Sequence, residues 1–226
     1  VKCGSGAFMA TLDGAEALAR ALVSTAQGAG CMTTALITDM TQPLATAAGN
    51  ALEVIETMET LTGTSVNPAL LALGGLAADP ADGAGRIAQA LESGAAAEWF
   101  GRMVAAQGGP ADFVERWADR LPAAPVVVEV PSPRAGHVGA IDGRALGLAV
   151  VDLGGGRQRE GDRVNPSVGL SDLAGIGDEI GAGDPLCMIH AATPAQAEAA
   201  VRAVQAAYRL QDAAPPDVPL ILKRIA

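Results

Sequence analysis

Apolar and polar positions follow the clearest pattern in a stretch near the start of the chain. A short apolar run ends at Asp39 and has the length and composition of a buried strand. Pro43 then favours a turn, because proline fixes φ and lacks an N–H. From Asn50 onward apolar residues recur at helical spacing, and Asn50 with Glu53 has the form of a capping box. The pattern predicts a strand, a polar loop and a capped helix, where α/β proteins place ligands, although an ordinary core segment shows the same pattern.

Strands and helices are predicted on both sides of this stretch. Residues 1–9 have the pattern of a strand end followed by the turn Gly4-Ser5-Gly6, which by itself is more typical of a plain turn than of a ligand site. The next helix begins at Thr11 or Asp13 and ends at Gly28 or Gly30. Because this helix separates two predicted strands, we expect a βαβ unit with parallel pairing. Further helices are predicted over residues 68–78, 81–92, 95–107 and 111–121.

The composition changes at residues 121–122, after which turn residues dominate. A strand is predicted over residues 126–130, a helix from the cap Asp142 to the stop Gly154, a helix over 194–210 and a last strand over 220–225. Glycines that end a helix face the negative pole of its dipole, so we interpret residues 154–156 as a structural stop and not as a phosphate site. We therefore predict two domains, residues 1–122 and residues 123–226.

Composition and charge limit the partners of the protein. Half of the residues are apolar but only 3% are aromatic, so Ala, Leu, Val and Ile must build the core. The net charge is −10 and lysine occurs only at Lys2 and Lys223, whereas nucleic-acid binding depends on clustered basic residues. The longest apolar run, around residues 69–78, is much shorter than the ~20 residues that span a bilayer. We expect a soluble, cytoplasmic protein that binds neither nucleic acid nor a membrane.

Cysteine and histidine are too few and too scattered for two common kinds of site. Cys3, Cys31 and Cys187 are odd in number and far apart, which favours reduced thiols over a disulfide framework. With only two histidines, His137 and His190, a His-rich metal site is not expected. His190 lies in an apolar run, where a hydrogen-bonded structural histidine is the expected role.

Several segments carry a family resemblance. The segments T-T-A-L-I-T-D-M-T-Q-P-L and A-G-N-A-L-E-V-I-E, together with V-K-C-G-S-G-A-F-M at residues 1–9, resemble bacterial thymidine phosphorylases and the related pyrimidine nucleoside phosphorylases. Similar segments follow at residues 100–107, 144–157 and 208–224. The resemblance therefore extends along the whole chain.

The resemblance implies a fold and an activity. It implies an α/β fold: part of a mixed, mainly parallel sheet with covering helices, followed by a smaller α+β carboxyl-terminal domain. The family's helical amino-terminal domain, its phosphate signature S-G-R-G-L-x-x-T-G-G-T-x-D and its base-gripping Arg and Ser-x-x-x-Lys do not occur in these 226 residues. We expect a carboxyl-terminal portion of a homodimeric phosphorylase that converts thymidine and phosphate to thymine and 2-deoxyribose 1-phosphate. We expect no catalytic residue in this chain, and the chain alone to be inactive.

The resemblance also implies roles for four residues. Phe8 matches a residue that packs beside the pyrimidine base near its 5-substituent, and its alternative role is core packing. The carbonyls of Leu44 and Ala47 and the carboxylate of Glu56 match the ligands of a monovalent cation, usually potassium. Oxygen ligands suit a hard cation, although Glu56 as a solvated helix residue is the alternative. No other cofactor is expected.

Two alternative functions stay open. One is a broader phosphorylase that also uses uridine. The other is a non-catalytic carrier or scaffold module, because S-P-R-A-G-H-V and the later G-D-E-I and G-D-P-L-C-M-I resemble biotinyl and lipoyl carrier domains. Those domains attach their cofactor to a lysine, and no lysine lies between Lys2 and Lys223, so this resemblance implies fold and not function.

Overall fold

The computed structural model describes residues 1–63 and 80–225. Its helices are α1 Leu12–Gly28, α2 Asn50–Leu61, α3 Pro80–Glu92, α4 Ala95–Ala106, α5 Phe113–Arg120, α6 Gly143–Val150, which continues as a π-helical turn Val151–Gly155, and α7 Pro194–Ala207. Its strands are β1 Lys2–Cys3, β2 Ala35–Asp39, β3 Ala48–Gly49, β4 Val126–Pro131, β5 Gly136–Ile141, β6 Gly169–Ser171, β7 Glu179–Ile180, β8 Pro185–Ala191, β9 Tyr208–Gln211 and β10 Ile221–Ile225. The helix predicted over residues 68–78 lies outside the described residues.

The first sheet has the order β1-β2-β10. Strands β1 and β2 pair in parallel, with Cys3 opposite Asp39, and α1 lies between them in sequence. The predicted βαβ unit is thus confirmed. Strand β10 pairs antiparallel with β2, so the sheet is mixed as predicted, but in the described residues it is not mainly parallel. The physical reason is that the chain end returns to the free side of β2 in the opposite direction.

The second half of the chain builds two antiparallel sheets around the larger core. Their orders are β3-β6-β8-β4 and β7-β5-β9. The core is filled by aliphatic side chains of these strands and of α6 and α7, which are fully or nearly fully buried: Val130, Val138, Leu146, Leu153, Val168, Leu170, Leu186, Ile189 and Val204 among others. Aliphatic residues dominate this core, as the composition predicted.

The helix ends follow the sequence with small differences. Thr11 Oγ1 accepts from the Gly14 N–H at 3.3 Å and Asp142 Oδ1 from the Ala145 N–H at 2.9 Å, so both predicted caps are confirmed. The prediction for α2 is wrong by one residue, because Gly49 is the N-cap. Its φ of +154° suits only glycine, and the Glu53 carboxylate accepts its N–H at 3.1 Å.

Two other helices are shorter than their apolar periodicity predicted. Helix α5 begins at Phe113, whose ring lies 6.2 Å from that of Phe100 on α4, and it is kinked at Arg116. Helix α7 ends at Ala207, because the residues that follow pair with β5 as strand β9. Periodicity alone does not distinguish a last helical turn from a short strand.

The two halves share strands. Strand β10, at the end of the chain, lies in the first sheet, and β3, from the first half, pairs with β6. Gly49 and Gly169 face each other there, and a Cβ on Gly169 would lie only 2.4 Å from the Ala48 carbonyl oxygen. The boundary at residues 122–123 stays a prediction, and the contacts across it are extensive.

Candidate functional site

The turn Gly4-Ser5-Gly6 lies directly after β1, at the edge where β2 also ends. Gly4 has φ +137°, and a Cβ there would lie 2.7 Å from the Met40 carbonyl carbon. The Gly6 N–H donates to the Met40 carbonyl at 3.0 Å. Only glycines permit this close approach of two backbones. The turn is therefore built around a packing requirement, and it determines where the following residues lie.

Phe8 projects from this turn into solvent. Its side chain is 96% exposed, so Phe8 does not belong to the core of the described residues. An aromatic ring in this position leaves its flat face available to another flat apolar group.

The end of β2 is closed by a short polar turn. Asp39 Oδ2 accepts from the Thr41 hydroxyl at 2.6 Å and from the Thr41 N–H at 3.3 Å. The Met40 N–H donates to the Cys3 carbonyl at 2.7 Å. The carboxyl ends of β1 and β2 are thus fixed side by side, at the edge where open α/β sheets bind ligands.

The predicted cation ligands lie in and beside the loop that follows. Glu56 is buried, with 8% of its surface exposed, so the alternative of a solvated helix residue is wrong. Its Oε1 accepts from the Thr46 N–H at 3.0 Å and the Thr46 hydroxyl at 3.1 Å, and its Oε2 accepts from the Ala47 N–H at 3.1 Å. The structure brings Glu56 and Ala47 together, and Leu44 lies three residues earlier in the same loop, partly exposed.

The contacts between Glu56 and this loop run through hydrogen-bond donors of the loop. Both carboxylate oxygens accept, one from the Thr46 N–H and hydroxyl and the other from the Ala47 N–H. Among the described residues, no three or more His, Cys, Asp and Glu side chains form a group suited to a transition metal. The potassium site at Leu44, Ala47 and Glu56 stays a prediction, and its ligands would all be oxygen atoms, which suit a hard cation better than zinc.

The same loop is fastened to the carboxyl-terminal half by a residue that the sequence did not single out. Gln42 Oε1 accepts from the Ile176 N–H at 2.7 Å. The Leu173 N–H donates to the Thr46 carbonyl at 2.9 Å, and the Asn50 side chain donates to the Gly155 carbonyl at 2.8 Å. A glutamine before a proline gives no signal of such a contact, because its partner is 134 residues away in sequence.

His190 makes the structural hydrogen bond that the sequence predicted. Its Nε2 lies 2.9 Å from the Ser171 hydroxyl, which lies 3.0 Å from Asp172 Oδ2. Ser171 has one proton, which it donates either to the Asp172 carboxylate or to His190, and which of the two nitrogens of His190 carries a proton decides the direction of their hydrogen bond. Burial lowers the pKa of His190, while the nearby Asp172 charge opposes this shift.

The three cysteines are free thiols, as expected. Cys31 is exposed, whereas Cys3 and Cys187 are buried. Burial, reinforced by the charge of Asp172, raises the pKa of Cys187 to about 12. A thiol with such a pKa stays protonated and unreactive at neutral pH.

The carboxyl-terminal turns that resemble carrier segments in sequence are closed by aspartate side chains. The Gly175 N–H donates to Asp178 at 2.7 Å and the Gly181 N–H to Asp184 at 2.9 Å, so the two Gly-Asp segments fold into equivalent turns. In the last part of the π-helical turn, Gly154 has φ +97° and its carbonyl accepts from the Asn165 N–H, which agrees with a structural stop.

Two open grooves lie in this part of the described structure. One of about 690 Å³ lies between α2, α4 and α6, away from Phe8. The other, of about 510 Å³, is lined by Leu44, Asp39 and Met40 and by apolar residues of α1 and β2. In the described residues no helix is long and apolar enough to cross a membrane.

A comparison with known protein families finds a match in the carboxyl-terminal half of the chain. Residues 137–211 match the family model of the pyrimidine nucleoside phosphorylase C-terminal domain. The matched range runs from β5 to the end of β9 and contains the turns that hold Gln42 and the loop before α2. Residues 137–211 are thus similar to the carboxyl-terminal domain of pyrimidine nucleoside phosphorylases, the same family that the sequence motifs resemble.

Proposed function

We propose that this chain is the carboxyl-terminal part of a thymidine phosphorylase, a transferase of nucleoside metabolism. The observation that carries the proposal is the family match at residues 137–211, a range whose Ile141 carbonyl lies 3.3 Å from the Ser5 hydroxyl in the turn that presents Phe8. The reaction joins phosphate to C1′ of the deoxyribose as the bond from C1′ to thymine N1 breaks. The electron pair of that bond leaves with the base, which is then protonated.

In this proposal Phe8 binds the pyrimidine. Its exposed ring packs beside the base near the 5-methyl group of thymine, and this apolar contact adds selectivity without taking part in bond breaking. The groups that hold phosphate and the polar edge of the base come from the upstream part of the enzyme. Catalysis then depends on bringing both substrates into line, which contributes about 7–11 kcal/mol in well-oriented reactions.

We further propose that potassium binds to the loop before α2. The carbonyls of Leu44 and Ala47 and the carboxylate of Glu56 would hold it, and the ion would supply charge that fixes this loop. The buried position of Glu56 beside Ala47 supports this assignment. Potassium, compared with sodium at equal ionic strength, should raise the melting temperature by mass action on the folded protein. Glu56→Gln should abolish the difference, and equal melting temperatures in both salts would contradict the site.

The second candidate function is a broader phosphorylase that accepts uridine. The same exposed ring at Phe8 favours it, because a base without a 5-methyl group fits there too. The carrier function has no such support, since the sequence has no lysine between Lys2 and Lys223. An intact-mass spectrum that shows a biotinyl or lipoyl adduct would contradict the exclusion of the carrier function.

The test is a phosphorolysis assay on the product of the full reading frame that encodes this chain. Thymidine and uridine are each incubated with phosphate, and free base and sugar phosphate are measured. Thymidine cleavage well above uridine cleavage is expected, whereas similar rates favour the broader enzyme. The 226-residue chain alone serves as the control and should be inactive. Release of neither base by the full product would contradict the proposal. We also propose that the full enzyme is a cytoplasmic homodimer, which light scattering would test for its oligomeric state.

A further inference from the structure

The position of Phe8 is determined by its backbone. Because its ring is 96% exposed, packing of that ring against the described chain cannot fix it. What fixes it is the turn Gly4-Ser5-Gly6, closed by hydrogen bonds from the Gly4 N–H to the Met9 carbonyl and from the Ala7 N–H to the Gly4 carbonyl, each 3.0 Å long. Whatever holds this turn also holds Phe8.

One side of the turn rests on β2 and the other on the matched carboxyl-terminal domain. The Gly6 N–H donates to the Met40 carbonyl. On the opposite side the Ser5 hydroxyl lies 3.3 Å from the Ile141 carbonyl oxygen and 3.4 Å from that of Thr41. With one proton, Ser5 donates to one of these two carbonyls at a time, and both hold the same turn.

The closest contact is made by Gly143, the first residue of α6. A Cβ built on Gly143 would lie 3.2 Å from the Gly6 Cα and 3.5 Å from the Gly6 nitrogen. The start of α6 is itself rigid, because Asp142 caps the helix and its N–H donates to the Ala207 carbonyl at 2.9 Å. A rigid helix start with no side chain therefore forms the surface against which Gly6 lies.

We propose that Gly143 and Ser5 are positioning residues through which the carboxyl-terminal domain sets the location of Phe8 against the pyrimidine. The role in base binding rests on the proposed function. The contact itself does not, because it is a packing relation between Gly143 and Gly6. Through this contact the carboxyl-terminal domain would influence substrate selection, although the proposed base-binding residue Phe8 lies outside it.

The experiment compares two glycines on the same helix. Gly143→Ala introduces a methyl group that must displace Gly6 by a few tenths of an ångström, whereas a Cβ on Gly147 meets nothing within 4 Å. With the full-length enzyme, Gly143→Ala should lower kcat/KM for thymidine roughly 3- to 10-fold, scaled from about a hundredfold loss per 1 Å of misplacement. The KM for phosphate should stay within about twofold of the wild-type value, and Gly147→Ala should change neither constant. Ser5→Ala should also lower kcat/KM for thymidine, but by less. It replaces Gly143→Ala as the test variant if Gly143→Ala does not fold.

A second readout does not require activity. In protein labelled with ¹⁵N-glycine, the amide resonance of Gly6 reports on its hydrogen bond to Met40. It should shift in Gly143→Ala and stay unchanged in Gly147→Ala. Equal kinetics in the two glycine variants, or equal losses for thymidine and phosphate, would overturn the positioning role. If the wild-type enzyme cleaves neither nucleoside, the proposed function fails, and an unmoved Gly6 resonance would separately overturn the contact.

Discussion

The molecule has two cores of different size, and the candidate site belongs to the smaller one. In the part of the chain that the structure describes, the core of β1, β2, β10 and α1 has six buried residues, and the core of the carboxyl-terminal half has seventeen. Phe8 and the loop before α2 extend from the edge of the smaller core. Both are held by backbone contacts to the larger one, at Gly143 and at Ile176. The difference teaches that the residues proposed to bind substrate and ion depend on a domain that contributes none of them.

The largest expected effect separates the two cores directly. Ile189 and Ile37 are both fully buried, one in each core. Replacement by alanine should cost about 2–5 kcal/mol of unfolding free energy at Ile189, because a large core closes a cavity poorly. Ile37→Ala should fall at the low end of that range and should increase hydrogen exchange mainly in α1 and β2. Chemical denaturation measures the loss of unfolding free energy in each variant, and hydrogen exchange shows which elements open more often. If both variants lose the same unfolding free energy and show faster exchange in the same elements, the two cores unfold as one unit.

The next effect tests how the loop before α2 is held. Glu56→Gln places an amide N–H₂ against backbone N–H donors, so we expect a loss of about 1–3 kcal/mol in unfolding free energy. Glu53→Gln on the same helix is the matched control, because its amide oxygen still accepts the single Gly49 N–H and the loss should stay within about 0.5 kcal/mol. Urea denaturation of both variants in a potassium-free buffer checks this. A Glu56→Gln protein as stable as the control would show that the hydrogen bonds contribute nothing net.

Phe8→Ala should affect substrate use and not stability. The ring is almost fully exposed, so the melting temperature should not fall. An aromatic–base contact contributes about 1–3 kcal/mol, so kcat/KM for thymidine in the full-length enzyme should fall roughly 5- to 100-fold with little change in the KM for phosphate. Leu148→Ala, at another exposed apolar residue, is the control and should change neither. Unaltered thymidine kinetics in Phe8→Ala would remove Phe8 from the binding site.

The smallest effect concerns the salt bridge between β10 and α1. The Lys223 ammonium donates to the Glu16 carboxylate at 2.5 Å, and this hydrogen bond lowers the pKa of Glu16 below its usual 4.5. A carboxylate with a lowered pKa stabilises the folded state above its unfolded pKa, and the stabilisation is lost as the pH falls below 4.5. Lys223→Met should slightly reduce stability at pH 7 and reduce it less at pH 3. Thermal melts of Lys223→Met and of the control Arg209→Met across this range check this, and the same pH dependence in both variants would show that the pair contributes nothing.

Much of the local structure could be predicted because its causes are local. The parallel β1–β2 pair, the caps Thr11 and Asp142 and the stop at Gly154 follow from residue type and spacing. The wrong predictions lie where distant residues decide. The N-cap of α2 moved from Asn50 to Gly49 because Gly49 must approach Gly169, and the first sheet gained an antiparallel strand from the chain end.

The family resemblance identified the residues of the candidate site, but the sequence did not predict what holds them. Phe8, Ala47 and Glu56 were named from motifs, whereas Gln42, Ser5 and Gly143 gave no signal. Their partners lie far away in sequence, and a glycine or glutamine in a turn has many ordinary roles.

The sequence by itself determined most of the helices, the strands β1, β2, β4 and β10, the aliphatic composition of the cores and the family resemblance, because these depend on periodicity, residue type and motif. Only the tertiary structure decided that Glu56 is buried against Thr46 and Ala47, that Phe8 is exposed, and that both depend on the carboxyl-terminal domain. The physical reason is that hydrogen bonds and close backbone contacts act over about 3 Å in space regardless of separation along the chain.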